Sequence, residues 1–299
     1  MVWLFVIILA YLFFAISSLG DKIVISGKIN PKSYTFYVGL LSGAPIILIP
    51  FIGLLIPEIK YFIWLILDAV FFSTGLYFGY TALKEFEVSK VGVTIGATQP
   101  IFIYFVSWIV WGYQPLGLIS FIAFLFIFLG SILISLDAKP ELTSRCLKIT
   151  MFASLMYSFD YVLSKFIFNE LGFLQGLIWR GIFIILTVLI LLAVKENRKE
   201  IFKKENKLNK KNTASFFTTQ AFGGTANFLQ SFAIYLAPIS VLPIVNSLRG
   251  MQYVFLFILT IFVSTFFPGI FKEKISKKII FRKCIAIILI VFGLIFIVF

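Results

Sequence analysis

Long apolar runs separated by short polar joints set the pattern of this chain. A helix that crosses about 30 Å of hydrocarbon needs about 20 mainly apolar residues. Ten runs meet that length: 3–26, 34–56, 60–83, 89–111, 117–136, 147–169, 173–194, 213–236, 240–267 and 279–299. The pattern predicts an all-α polytopic membrane protein with ten transmembrane helices. The longest joint, 195–211, is basic and is expected to be a solvated loop between the seventh and eighth helices. The first run has neither a basic lead nor a small-residue cleavage site, so a lasting helix is expected there rather than a cleaved signal.

Within this pattern, residues 75–134 form a distinct block. Two apolar helices meet at the charged hinge Lys84-Glu85-Phe86-Glu87, Gln99-Pro100 falls near the middle of the second, and a third run passes through Gly130. A degenerate copy runs from Gly223 to the end of the chain. An offset of 151 residues sets Ala233 on Ala82, Ser240 on Ser89 and Arg249 on Thr98, while an offset near 143 sets Lys165 on Lys22. The copies predict two repeats, 1–140 and 141–299. With five crossings in each, they would have opposite orientation, the architecture of carriers whose site lies near the bilayer midplane.

Charge orients this arrangement. Twenty-two of the 26 Lys and Arg fall in the joints 1–2, 3–4, 5–6, 7–8 and 9–10, and only Lys60, Lys165, Arg180 and Arg249 lie elsewhere. The positive-inside bias puts those joints in the cytoplasm of a cell membrane and both termini outside. It also explains the net charge of +13 without nucleic acid. A hydrophobic content of 61% with mean hydropathy +1.05 excludes an ordinary soluble domain. His is absent and Cys numbers two, Cys146 and Cys284, so His catalysis, a His/Cys metal site and a disulfide framework are not expected. No enzyme and no cofactor is predicted. Without a GxxxxGK[ST] loop, transport would draw on gradients or exchange rather than on the chain's own ATP hydrolysis.

Ala82-Leu83, Pro100 and Gly130-Ser131-Ile132-Leu133-Ile134 resemble, with Lys272-Glu273-Lys274-Ile275 and Leu289-Ile290-Val291-Phe292-Gly293-Leu294, the EamA-type drug/metabolite transporter superfamily. The resemblance spans essentially the whole chain. It implies ten helices as two inverted five-helix repeats, with an Ala-Leu pair ending helices 3 and 8, a Pro in helix 4 and a short acidic turn before helices 5 and 10. Two departures stand out. The first turn reads Gly112-Tyr113-Gln114 without an acid, and Met251 stands where a second Pro would match Pro100.

Polar groups inside apolar runs locate the expected chemistry, since an embedded charge persists only where it faces a partner, a cavity or water. Asn246, Arg249, Gly250 and Tyr253 share a helix face by spacing, as do Gln220, Gly223, Gly224, Asn227, Gln230 and Ser231, and Gly92, Gly96 and Gln99. The expected substrate contacts are Gln99, Asn227, Gln230, Asn246 and Arg249, with aromatic walls from Tyr104, Tyr157 and Tyr253. Arg249 points to a carboxylate or other anionic group. Asp160 is expected in proton coupling or in an ion pair with Arg249, and Arg180 in a coupling or pairing role or snorkelling to the outer interface. Asp21 and Lys22 are expected as an interfacial pair or gate. The glycine pairs Gly39/Gly43, Gly75/Gly79 and Gly92/Gly96 are expected as helix-packing faces. The function these readings favour is a secondary carrier that exports a small organic metabolite or amino acid by alternating access. The alternative is a flippase for a lipid-linked or anionic headgroup.

Overall fold

A computed structural model describes residues 2–25, 30–86, 88–112, 116–135, 143–203, 210–266 and 277–298. These form α1 (Val2–Ile25), α2 (Pro31–Leu41), α3 (Ile49–Ile52), α4 (Ile59–Glu85), α5 (Val88–Trp111), α6 (Leu118–Ser135) and α7 (Ser144–Leu171). They continue as α8 (Phe173–Ile190), α9 (Lys195–Ile201), α10 (Lys210–Leu236), α11 (Leu242–Ser247), α12 (Gly250–Phe266) and α13 (Lys277–Val298). No strand occurs among the described residues. Among the described residues five helical stretches are long and apolar enough to cross a membrane by length and composition: Pro31–Ile52, Ile59–Glu85, Thr94–Trp111, Phe173–Ala193 and Ile239–Leu259.

Two of the predicted runs are broken rather than continuous. In the second, α2 starts on an Asn30 cap, whose side chain accepts from Lys32 N at 3.1 Å, with Pro31 in the first turn. Pro45 and Pro50 then leave amides missing. The chain passes through a 3-10 turn, Ala44–Leu48, into the short α3, and residues 53–58 are not helical. Side chains from α8 hold that segment. Gln175 donates to Gly53 O and accepts from Leu55 N, both at 3.1 Å, and Trp179 Nε1 donates to Leu55 O at 2.8 Å. The ninth run breaks at Leu248-Arg249, between α11 and α12.

Helix pairs give the core its order. α1 lies along α10, and α7 lies along α4 in the antiparallel sense. A ladder of rings at seven-residue spacing joins α4 to α7: Trp64 on Phe166, Phe71 on Phe159 and Phe78 on Phe152, with centroids 5.2, 4.6 and 4.7 Å apart. α6 and α13 cross reciprocally. A Cβ on Gly130 would lie 2.8 Å from the Ala286 carbonyl oxygen, and one on Gly293 would lie 2.9 Å from that of Ala123. Between α7 and α8 the chain reverses on Gly172 alone. Its φ of 76° ends α7 in the left-handed region that glycine adopts without penalty.

The basic joint is not structureless throughout, because α9 docks on the start of α2. Lys32 Nζ donates to Glu200 Oε2 at 2.6 Å, the Asn30 amide donates to Glu200 Oε1, and Ser33 Oγ donates to Ile201 O at 3.2 Å. The hydrogen bond from Lys32 holds the Glu200 carboxyl below its ordinary 4.5. A depressed carboxyl contributes stability above its unfolded value and loses it as pH falls through the folded one. Glu200→Gln should therefore reduce stability slightly at neutral pH, by about 0.5 kcal/mol for so exposed a pair. The difference from wild type should shrink as pH falls below the ordinary carboxylate range and vanish once the folded carboxyl is protonated, as paired thermal melts would show.

Candidate functional site

The break in the ninth run builds the first polar cluster. Around it the backbone bonds shorten to three-residue spacing: Arg249 N to Asn246 O at 3.0 Å, Met251 N to Leu248 O at 2.8 Å and Gln252 N to Arg249 O at 3.0 Å. Carbonyls near the end of α11 then take partners from other helices, as a break inside an apolar bundle requires. Tyr11 Oη of α1 donates to Val245 O at 3.1 Å, and Ser131 Oγ of α6 donates to Ser247 O at 2.7 Å. Gly250 makes that approach possible, because a Cβ there would sit 2.1 Å from Ser131 Oγ.

Arg249 extends from this break to α5, where its Nη1 donates to Gln99 Oε1 at 2.7 Å. Gln99 is itself fixed between helices. Ser158 Oγ of α7 donates to its carbonyl at 3.3 Å, and the neighbouring Thr98 Oγ1 donates to Ser154 Oγ at 2.8 Å. Four tyrosines stand within the electrostatic reach of Arg249: Tyr11, Tyr157, Tyr161 and Tyr253. Gln230 lies against the Tyr11 hydroxyl. Two of the ring positions depend on glycine. Gly75 and Gly79 of α4 leave room for Tyr157, whose ring and hydroxyl would lie 2.9 and 2.8 Å from added Cβ atoms, and Gly92 leaves room for the Tyr253 hydroxyl, 2.6 Å from one. Among the described residues no carboxylate pairs with Arg249. Tyr161 Oη and Asn246 Oδ1 are buried without a hydrogen-bond partner. The arrangement therefore offers one positive charge, unmet polar atoms and aromatic faces in one place.

A second cluster lies between α4, α7 and α8. Arg180 Nε donates to Asp68 Oδ2 at 2.7 Å, and its Nη2 donates to Asp160 Oδ1 at 2.6 Å. The Phe168 ring lies 5.4 Å from the guanidinium carbon. This geometry corrects two expectations. Asp160 pairs with Arg180 and not with Arg249, and Arg180 is 8% exposed in the bundle and does not snorkel. The one-residue reversal at Gly172 explains both: it folds α8 back along α7, so that Arg180 meets Asp160 before any interface is reached.

Of the predicted contacts, the structure brings together Gln99, Arg249, Gln230, Tyr157 and Tyr253, with Asn246 at the break. It leaves Asn227 exposed on α10 and Tyr104 edge-on against Phe105, outside this cluster. Side chains of the gate pair Asp21 and Lys22 lie outside the described residues. Lys165 is buried, and its Nζ donates to Tyr235 O at 2.6 Å near the C-terminal end of α10. The glycine pairs divide: Gly39 and Gly43 meet Val188 and Ile185 of α8, whereas Gly75/Gly79 and Gly92 accommodate rings.

The family model described as the EamA-like transporter family matches residues 1–136. The likeness to the EamA-like transporter family thus covers the first 136 of the 299 residues. That match and the apolar helices indicate a multi-pass membrane protein, and no curated protein matches the chain. A solved crystal structure superposes on 97% of this chain and 95% of its own, with a TM-score of 0.66 at 16% identity. That likeness carries the fold alone, and it extends past residue 136 through the second half.

Sequence reasoning missed Asp68, Tyr11 and the place of Tyr161 near Arg249. The Asp68 signal was one carboxylate inside LILDAVFF, a run otherwise apolar. The contact between α6 and the break is directly testable. Gly250→Ala should destabilise by about 1–3 kcal/mol, because the new methyl group meets Ser131 and the α6 backbone behind it. Adding Ser131→Gly should recover part of the loss in thermal melts, since the Ser131 Cα would still lie 2.9 Å away.

Proposed function

We propose that the chain is a secondary carrier that moves a small carboxylate-bearing organic solute, such as a metabolite or amino acid, across the cell membrane. Its halves, 1–140 and 141–299, act as inverted five-helix repeats that rock about the Arg249 cluster. The pairing of α1 with α10 and of α7 with α4, and the reciprocal crossing of α6 and α13, support a two-fold relation between the halves. The basic joints face the cytoplasm, as the charge bias favours.

The observation that carries this reading is Arg249: a guanidinium beside a helix break, oriented by Gln99, with no carboxylate among the described residues to neutralise it. Interrupted membrane helices are a recurrent way to present ligand-binding groups at the midplane. One edge of the guanidinium is committed to Gln99, and the remaining donors suit a two-pronged carboxylate. Tyr11, Tyr157, Tyr161 and Tyr253 supply hydroxyls and flat apolar faces for the organic body.

A thermal-shift screen on purified protein tests it, with small carboxylates set against their neutral amides. A ligand at 100 times its Kd stabilises by about 2.7 kcal/mol. Stabilisation by one or more carboxylates, and not by the matching amides, is the expected result. Equal response to both, or to neither across the panel, would remove the anionic solute.

A further inference from the structure

We propose that Asp68, Asp160 and Arg180 form a proton-carrying site in which the two carboxyl groups share one exchangeable proton, linked through Tyr157 to the solute site. The coupling half of this statement rests on the carrier reading above, whereas the shared proton does not.

The geometry poses a charge problem. One guanidinium faces two carboxylates, at 2.7 Å and 2.6 Å, and Asp68 is fully buried. With both acids ionised, the cluster would hold a net negative charge inside an apolar bundle, which is costly. One further atom is unaccounted for: Asp68 Oδ1 is buried and accepts no hydrogen bond. The Asp68 and Asp160 carboxyl groups also lie within hydrogen-bonding reach of each other. Two ionised carboxylates so close repel, whereas one proton between them makes a donor for the unpartnered oxygen and brings the cluster to neutrality. The titratable groups that reach the pair are Arg180 from α8, Asp68 from α4, and Asp160 with its neighbour Tyr157 from α7. No titratable group of α2, α5 or α10, which pack against those helices, stands among the groups acting on the two carboxyls.

The step is a plain proton transfer. The shared proton leaves the carboxyl pair for water, the pair goes from one negative charge to two, and the cluster from neutral to negative. Tyr157 is where the two sites meet. It stands one turn from Asp160, its ring is held against Gly75 and Gly79, and it responds to the charge of both Asp160 and Arg249. An anionic solute on Arg249 adds negative charge beside the same tyrosine, so solute and proton should favour each other's binding, reciprocally.

The shared proton is tested without any solute, by infrared difference spectra of the purified full-length protein during pH titration. Wild type should show a protonated-carboxyl C=O band at neutral pH that disappears in alkali. Asp68→Asn and Asp160→Asn should each abolish it, because the remaining acid becomes a simple ion pair with Arg180. An isolated protonated acid would survive one of the two substitutions, and that result, or no band in wild type, overturns the proposal. Loss of the wild-type band on adding sodium chloride also overturns it, in favour of a cation on the pair. Both variants keep one carboxylate for Arg180, so folded protein is expected for the comparison. For coupling, the probe is whichever carboxylate stabilises wild type in the screen above. Its affinity should tighten by about fivefold or more as pH falls and lose that dependence in Asp68→Asn. A persisting pH dependence there would sink the coupling while leaving the shared proton standing. A screen without a carboxylate ligand would sink the carrier reading alone.

Discussion

Arg180→Ala is expected to destabilise the protein by about 3–5 kcal/mol, the range for removing one partner of a buried ion pair. That is a large fraction of the roughly 5–15 kcal/mol that a folded domain holds in reserve. The substitution strands Asp68 and Asp160 together, both lacking their only strong donor, between helices that the ring ladder and the Gly172 reversal hold in place. Arg180→Lys should fall between: it restores the charge, but one ammonium does not reproduce a fork that reaches Asp68 through Nε and Asp160 through Nη2. The informative control is Arg180→Met with Asp68→Asn and Asp160→Asn. Exchanging a whole buried charged group for neutral side chains is often close to neutral in stability. The triple variant should therefore melt well above Arg180→Ala. If Arg180→Ala melts with wild type, the guanidinium does not hold α4, α7 and α8 together.

How much of this was legible in the sequence depends on how far apart the cooperating residues lie. Helix positions came from apolar length, a local property, and the copy at an offset of 151 residues brought the Gln99 and Arg249 segments face to face, with Arg249 matched to the residue beside Gln99. The interruptions were harder to read. Pro45 and Pro50 mark the break after α2, but Leu248-Arg249 carries no proline. That break is maintained from outside the helix, by Ser131 and Tyr11 taking its carbonyls and by the space that Gly250 leaves. Partners of embedded charges were least legible. An ion pair of Asp160 with Arg249 overlooks the chain reversal at Gly172, which folds α8 against α7 and delivers Arg180 first. Asp68 escaped because one carboxylate hardly alters the mean hydropathy of a 27-residue helix, although its isolation among apolar neighbours was itself the signal.

Arg249→Ala should behave in the opposite way, although it removes the same kind of side chain from the same bundle. Arg180 pairs with two acids, whereas Arg249 donates to a neutral amide and faces no carboxylate among the described residues. Removing it loses one charged hydrogen bond and also relieves a part-buried positive charge of its desolvation, so the melting temperature should change little or rise. The loss should instead appear in binding: about 3 kcal/mol, or roughly two orders of magnitude in affinity for the carboxylate found by screening, as for truncating one member of a buried charged pair. Transport in proteoliposomes should fall with it. Gln99→Ala should cost about tenfold, because the guanidinium keeps its charge and loses only its orientation. Gln99→Glu should be worse than Gln99→Ala, since an internal carboxylate would occupy the donors offered to the solute. Wild-type binding in Arg249→Ala, at normal stability, would leave the helix break without its proposed purpose. A collapse of stability in that variant would make Arg249 a second structural charge like Arg180. Only unchanged folding with lost binding identifies a charge kept unpaired for a ligand.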